Sequence, residues 1–277
     1  MKVLVLGAKG MAGHMITLKL SQLGYDITGF AREPLPFCKV ISGDIMSTNL
    51  AKLCNGFDAV VNCIGVLNKE VDNIPHKGIW LNSYLPHLLA AEAKQLIHLS
   101  TDCVFSGKDG GGYTESSFRS ADTMYGRSKS LGEIDDNRNL TIRTSIIGPD
   151  YNKDGLGLFN WFMKEKESVY GFTGAIWSGV STLVLAEAIH DALCQKITGI
   201  YHLTNGEKIS KYELLKLFNK LRTKSAITIE PKDTLNEDKS LICTRNDFNY
   251  KVPSYEKMVL DMGEWLSHRK DLYMHYE

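Results

Sequence analysis

Residues 1–13 read Met1-Lys2-Val3-Leu4-Val5-Leu6-Gly7-Ala8-Lys9-Gly10-Met11-Ala12-Gly13, and this stretch decides the fold. Val3 to Leu6 is an unbroken apolar run, the pattern of a strand buried on both faces. Glycines then recur at 7, 10 and 13, and a helix-period segment continues to about Leu23 before Gly24 stops it. Glycines so spaced let a strand turn tightly into a helix, bring backbone amides close to a pyrophosphate and aim the helix dipole at it. In a chain with 24 glycines the spacing alone is weak. Its position after the first strand and at the head of a helix is what points to a dinucleotide, with Gly7, Gly10, Met11 and Gly13 as the first contacts.

Outward from this turn, apolar runs recur at Tyr25 to Ala31, Cys38 to Ile41, Ala59 to Ile64, Leu96 to Ser100 and Leu140 to Ile147. Helix-length segments such as Met46 to Leu53, Leu81 to Lys94 and Ala121 to Asp136 separate them. Such alternation predicts an α/β fold, a Rossmann doubly wound parallel sheet covered by helices. After Gly148-Pro149 the rhythm changes. Residues 1–148 are expected to form the dinucleotide-binding domain, with 180–204 returning to its sheet, and 149–179 with 205–277 a smaller C-terminal cap. The cap includes helices at Ser210 to Leu221 and Ser254 to His268.

The residue that reads the adenosine ribose should end the second strand, about 20 residues past the glycines. Phe30-Ala31-Arg32 stands there, and an Arg without a competing carboxylate favours a 2′-phosphate, hence NADP(H), with NAD(H) the alternative. Asp44 and Ile45 follow the third strand, where an adenine edge would be read. Cys63, Ile64 and Gly65 end the fourth beside the cofactor path. Ser100 and Thr101 close the next apolar run, at the carboxyl edge where open α/β sheets bind ligands. Tyr125 follows Thr101 by 24 residues and Lys129 completes Y-x-x-x-K, one helical turn on the same face. A second match, Tyr212 and Lys216, starts a cap helix and reads as ordinary surface. A ketone that accepts hydride builds negative charge on oxygen; a tyrosine hydroxyl delivers the proton, and a nearby ammonium eases that transfer and also holds nicotinamide ribose hydroxyls, so Ser100, Tyr125 and Lys129 count among the expected cofactor contacts as well. Thr101 would donate a hydrogen bond to the same oxygen.

With these motifs the chain resembles the extended short-chain dehydrogenases, most closely the dTDP-4-dehydrorhamnose reductase family of nucleotide-sugar 4-keto reductases. The resemblance rests on Gly7-x-x-Gly10-x-x-Gly13, Ser100-Thr101-Asp102-Cys103-Val104-Phe105, Tyr113-Thr114-Glu115, Tyr125-Gly126-Arg127-Ser128-Lys129, Gly132-Glu133 and Arg143-Thr144-Ser145. It is dense to about residue 148 and thin beyond. It implies a small substrate-binding cap, Thr101, Tyr125 and Lys129 as the catalytic set, and reduction of a 4-keto-6-deoxy sugar on a nucleoside diphosphate for surface polysaccharide synthesis. Substrate contacts are expected from Val66, Thr101, Cys103, Tyr125, Ile146 and Arg245. Cys103 and Ile146 stand where the family commonly has Tyr and Trp, which implies a roomier pocket and leaves the sugar open. Glu115 and Asp102 are expected to hold loops, and Asn82 to hydrogen-bond a helix to a strand.

Composition excludes other classes. The 277 residues carry 32 Lys+Arg against 32 Asp+Glu, so no excess positive charge serves nucleic-acid binding. Six cysteines without C-x-x-C and eight histidines without H-E-x-x-H predict neither metal nor disulfide framework. The absence of a long apolar run and of a signal-peptide pattern predicts no membrane partner and a cytoplasmic location. Two further functions remain in view: an NAD-retaining nucleotide-sugar 4-epimerase, and a non-catalytic nucleotide-binding regulatory subunit. A homodimer is compatible with the pattern, although no interface helix stands out.

Overall fold

The computed structural model describes residues 1–222 and 226–276. Seven parallel strands form its central sheet: β1 (Lys2–Leu6), β2 (Asp26–Ala31), β3 (Lys39–Ser42), β4 (Ala59–Asn62), β5 (Leu96–Leu99), β6 (Leu140–Arg143) and β7 (Gly199–His202). Their spatial order is β7-β6-β5-β4-β1-β2-β3, which reverses direction between β1 and β4 and opens a crevice at the carboxyl ends of those two strands. Val3 to Leu6 and all of β4 and β6 are buried, the polar Asn62, Thr141 and Arg143 included, whereas edge strand β3 is largely exposed.

The helix Met11–Gln22 packs against Thr182–Gln195 on one face of the sheet. On the other face the chain from Asn68 to Glu92 is broken into short helices, with a π-helical turn at Trp80–Tyr84. Past Ile147 small strands and the helices Leu158–Lys164, Lys211–Asn219 and Tyr255–Ser267 gather beyond the sheet. They share its core: Val3, Val5 and Ile16 belong to one apolar cluster with Phe159, Phe162, Phe218 and Met258. Among the described residues no helix is long and apolar enough to cross a membrane, and no group of three or more His, Cys, Asp or Glu is placed to hold a metal.

Candidate active site

The glycine turn is built by backbone packing. Gly7 has φ +74°, a conformation open to glycine at little cost, and a Cβ there would press on Cys63 and Ile64 at the end of β4. Gly13 rides directly on the Gly7 carbonyl. Gly10 caps the Met11–Gln22 helix without any side-chain cap and with no acid in the first turn, so the first amides of the helix are left for an anion. Met11 does not line the cleft over this turn, and its Sδ lies against Gly157.

A cleft of about 650 Å³ opens over this turn. It brings together Gly7, Gly10, Arg32, Asp44, Ile45, Cys63, Ile64, Gly65 and Val66, nine of the residues singled out by sequence. It is also lined by Lys9, Phe30, Glu33, Glu70, Lys77 and Leu81, which sequence reading passed over. Glu33 amends the picture of an Arg with no carboxylate beside it. Its acid lines the cleft next to Arg32 but is ion-paired to Lys9, which holds the carboxyl below its ordinary range. Lys77 and Glu70 pair at 2.6 Å, and nothing periodic in their segment marks them as cleft residues.

Beside the cleft lies a buried polar cluster. The helix Met124–Leu131 starts at Thr123, whose hydroxyl accepts from the Gly126 amide, and it carries Tyr125 and Lys129 toward the sheet. Tyr125 packs on the same apolar cluster as Ile64 and Val66. Burial pushes its phenol well above the usual range, Cys103 and Asp102 add to that, and a hydrogen bond with Thr101 works against it. Thr101 Oγ1 accepts from the Cys103 amide at 3.1 Å and donates to Asp102 Oδ1 at 3.0 Å. Asp102 is itself buried, and its carboxyl lies above the ordinary range. Lys129 Nζ donates to the Leu99 carbonyl at 2.6 Å and faces His98 Nε2 at 3.4 Å. Burial brings Lys129 down to about 8, with Glu133 and Cys63 opposing. Cys63 thus faces both cleft and lysine, and burial pushes its thiol up to about 12.

A second tier supports these groups. Ser100 donates to Glu133 Oε1 at 2.6 Å rather than standing free, and Arg143 grips both Glu133 oxygens at 2.7 and 2.8 Å. Burial would raise the Glu133 carboxyl, but Arg143 and Ser100 hold it below its ordinary value. Glu115 accepts from the Thr244 amide and hydroxyl and from the His202 amide, a clasp between distant loops. Asn82 ties its helical turn to the loop after β4 and to the Met124–Leu131 helix rather than to a strand, bonding both backbone groups of Val66 at 2.9 and 3.0 Å and the Ser128 hydroxyl at 3.0 Å.

Arg245 stands apart, and Ile146 lies outside the cleft, as Thr101, Cys103 and Tyr125 do. Arg245 donates to Thr198 and Ile200 carbonyls, pairs with Asp247 and lies over the Tyr201 ring. That is the amino end of β7, opposite the edge that carries the cleft, so Arg245 does not join the cations of the site. Ile146 is half-buried on a two-residue strand paired with Val180–Ser181 and does not line the cleft. Lys239, from the chain beyond the sheet, approaches Asp102 and Cys103 while paired with Glu237 at 2.8 Å. Its place could not be foreseen from a position so far along the chain.

A reversing parallel sheet, a glycine turn at the reversal and a Thr/Tyr/Lys cluster at its carboxyl edge define a dinucleotide-binding α/β protein of the extended short-chain dehydrogenase kind. Residues 1–241 match the family described as the RmlD substrate binding domain, and the chain belongs to that family. The spore coat polysaccharide biosynthesis protein SpsK of Bacillus subtilis is 30% identical over 232 residues, 76% of each chain. A dTDP-4-dehydrorhamnose reductase of Burkholderia thailandensis is 27% identical over 232 residues, 76% of this chain and 74% of that one. Among solved structures, dTDP-4-dehydrorhamnose reductase from Bacillus anthracis in complex with NADP superposes with a TM-score of 0.77 at 21% identity, covering 93% of this chain and 96% of that one.

Proposed function

We propose that this protein is an NADP(H)-dependent reductase of a nucleotide-linked 4-keto-6-deoxy sugar, working in surface polysaccharide synthesis. The observation that carries the reading is the juxtaposition of the 650 Å³ glycine-turn cleft with the buried Thr101/Tyr125/Lys129 cluster, joined through Cys63. The family membership and the activities for which the relatives are named support it.

The residues present fit a dinucleotide. The packing of Gly13 on the Gly7 carbonyl leaves room for backbone alone, and the uncapped amides at the start of Met11–Gln22 suit a pyrophosphate. Arg32 would hold an adenosine 2′-phosphate, Asp44 and Ile45 the adenine side, and Cys63 to Gly65 the path toward the reacting ring. When bound, the reduced dinucleotide supplies a hydride. Tyr125 keeps its proton in the free protein because burial disfavours the phenolate, and donates it to the oxygen on which charge develops. Lys129, protonated in the loaded enzyme, stabilises the phenolate that remains. Thr101, held by the Cys103 amide, gives its one proton to Asp102 in the free protein and turns it to the substrate carbonyl to orient it. Residues 1–148 with 180–204 form the cofactor half, and 149–179 with 205–277 close over the sugar nucleotide.

The reading is tested by following NADPH oxidation with purified protein against dTDP- and UDP-linked 4-keto-6-deoxy sugars. Turnover with at least one is expected. Protein that retains stoichiometric NAD⁺ and turns over a nucleotide sugar without added NADPH would establish an epimerase instead.

A further inference from the structure

Lys129 meets the sheet through His98, a residue that played no part in the sequence reading. His98 on β5 and Asn62 on the neighbouring β4 are both fully buried. The polarity of the bonds between them is set by the backbone. The Ile64 amide donates to Asn62 Oδ1 at 3.1 Å, which leaves Asn62 Nδ2 to donate to His98 Nδ1 at 3.2 Å. His98 Nδ1 is therefore an acceptor. Burial keeps the ring neutral, so its single proton sits on Nε2, which lies 3.4 Å from Lys129 Nζ. An ammonium has no lone pair to accept that proton, whereas an amine has one.

We propose that His98 is a positioning residue that favours the neutral amine of Lys129 in the cofactor-free protein, its Nε2–H donating to the Nζ lone pair while Nζ donates to the Leu99 carbonyl. This rests on the role given to Lys129 above. The groups facing the lysine do not supply a contact counter-ion. Glu133 favours the ammonium from a distance but gives its oxygens to Arg143, Ser100 and Arg119. Cys63 favours it too, from the end of β4, but as a thiol pushed up to about 12. Tyr125 shares the lysine's helix and remains a phenol, and His87 acts on His98 from the Leu85–Glu92 helix against a second positive charge. The lowered proton affinity of Lys129 accords with this arrangement. Charging the lysine requires the His98 bond to break, so in the free protein the amine gives way to the ammonium as pH falls through about 8, and ligand hydroxyls and phosphates in the cleft extend the charged form to higher pH.

The test is a long-range ¹⁵N–¹H spectrum of the full-length protein labelled with ¹⁵N-histidine, followed from pH ~6 to ~10. His98 is expected as the Nε2–H tautomer, with Nε2 tracking a titration centred near 8 that vanishes in Lys129→Met. His98→Gln assigns the signals; if that variant does not fold, single substitutions of the other seven histidines assign them by exclusion. An Nδ1–H tautomer, or an Nε2 signal indifferent to Lys129→Met, overturns the proposal. In turnover, the amide oxygen of His98→Gln accepts from an ammonium, so the alkaline limb of kcat/KM is expected to move at least ~10-fold lower in proton concentration. An unmoved limb counts against the proposal. An inactive protein with the expected spectrum refutes the reductase reading but supports the His98 assignment, and an active protein with the Nδ1–H tautomer does the reverse.

Discussion

Gly13→Ala probes whether close backbone packing holds the glycine turn in shape. A Cβ at this position falls on the Gly7 carbonyl oxygen, 2.8 Å from Gly7 C and 3.0 Å from Ala8 Cα. All three are backbone atoms of the turn itself, with no flexible side chain to give way. Overpacking of this kind costs about 3 kcal/mol, at the upper end of the usual range, because main chain must move. Alanine inside a helix recovers about 1 kcal/mol of propensity over glycine. The net is a loss of about 2 kcal/mol, which lowers Tm by about 4–8 °C in a chain of this size. The displaced turn also withdraws its amides from the pyrophosphate, so NADPH should bind at least ~10-fold more weakly. Gly10→Ala is the control, since its Cβ would stand 3.4 Å from Gly7 O, an ordinary contact, and should cost about 1 kcal/mol or less. Thermal melts and NADPH titration of both variants check this. A Gly13→Ala protein that melts above wild type and binds NADPH equally well would show that the turn has slack and that the packing argument is wrong.

Glu133→Ala leaves Arg143, only 2% exposed, without its counter-ion and should destabilise the protein by about 3–5 kcal/mol in urea unfolding. An effect below about 1 kcal/mol would mean that the pair is dispensable. Burial lowers His14 to about 4, so the folded state resists its protonation while the unfolded chain accepts a proton near the ordinary imidazole value. Stability from this group is complete above about 6.5 and declines as pH falls toward 4, a slope that unfolding midpoints should show and His14→Gln should flatten. Arg32→Ala should lower kcat/KM for NADPH by about 10-fold and leave NADH within about 2-fold, a contrast that equal losses with both cofactors would refute.

How far the sequence could be read depended on whether the signal was local. The strands were legible because a parallel sheet buries both faces, and Val3 to Leu6 and Ala59 to Asn62 display that directly. Segments under tertiary control were less so. Met46 to Leu53 reads as a helix, yet only Leu50–Cys54 forms one, because Asp44 holds Met46, Ser47 and Thr48 in a turn and Asn49 caps the short helix after it. Leu81 to Lys94 reads as one helix, but it contains a π-helical turn, Trp80–Tyr84, at the point where Asn82 bonds the Val66 backbone. Leu140 to Ile147 reads as one strand and divides after Arg143, where Thr144 bonds the Leu203 carbonyl.

Within the site, the glycines and the Tyr125/Lys129 pair carry their own spacing and could be found. Glu33 was adjacent to Arg32 and visible, but its pairing with Lys9 depends on the turn folding back across β2. His98 sits inside an apolar run, where a histidine reads as an interruption. Its meaning comes from Asn62, 36 residues earlier, and Lys129, 31 residues later, brought to it by the sheet. Arg245 illustrates the converse, a cation chosen by analogy whose donors are taken up by the backbone around β7.

Steady-state NADPH oxidation by wild type and Tyr125→Phe, with a 4-keto nucleotide sugar that the wild type accepts, tests the reductase assignment most directly. Loss of the phenolic proton should reduce turnover at least ~10²-fold while NADPH binding stays intact. Equal turnover by the two proteins would contradict the assignment of Tyr125 as the acid.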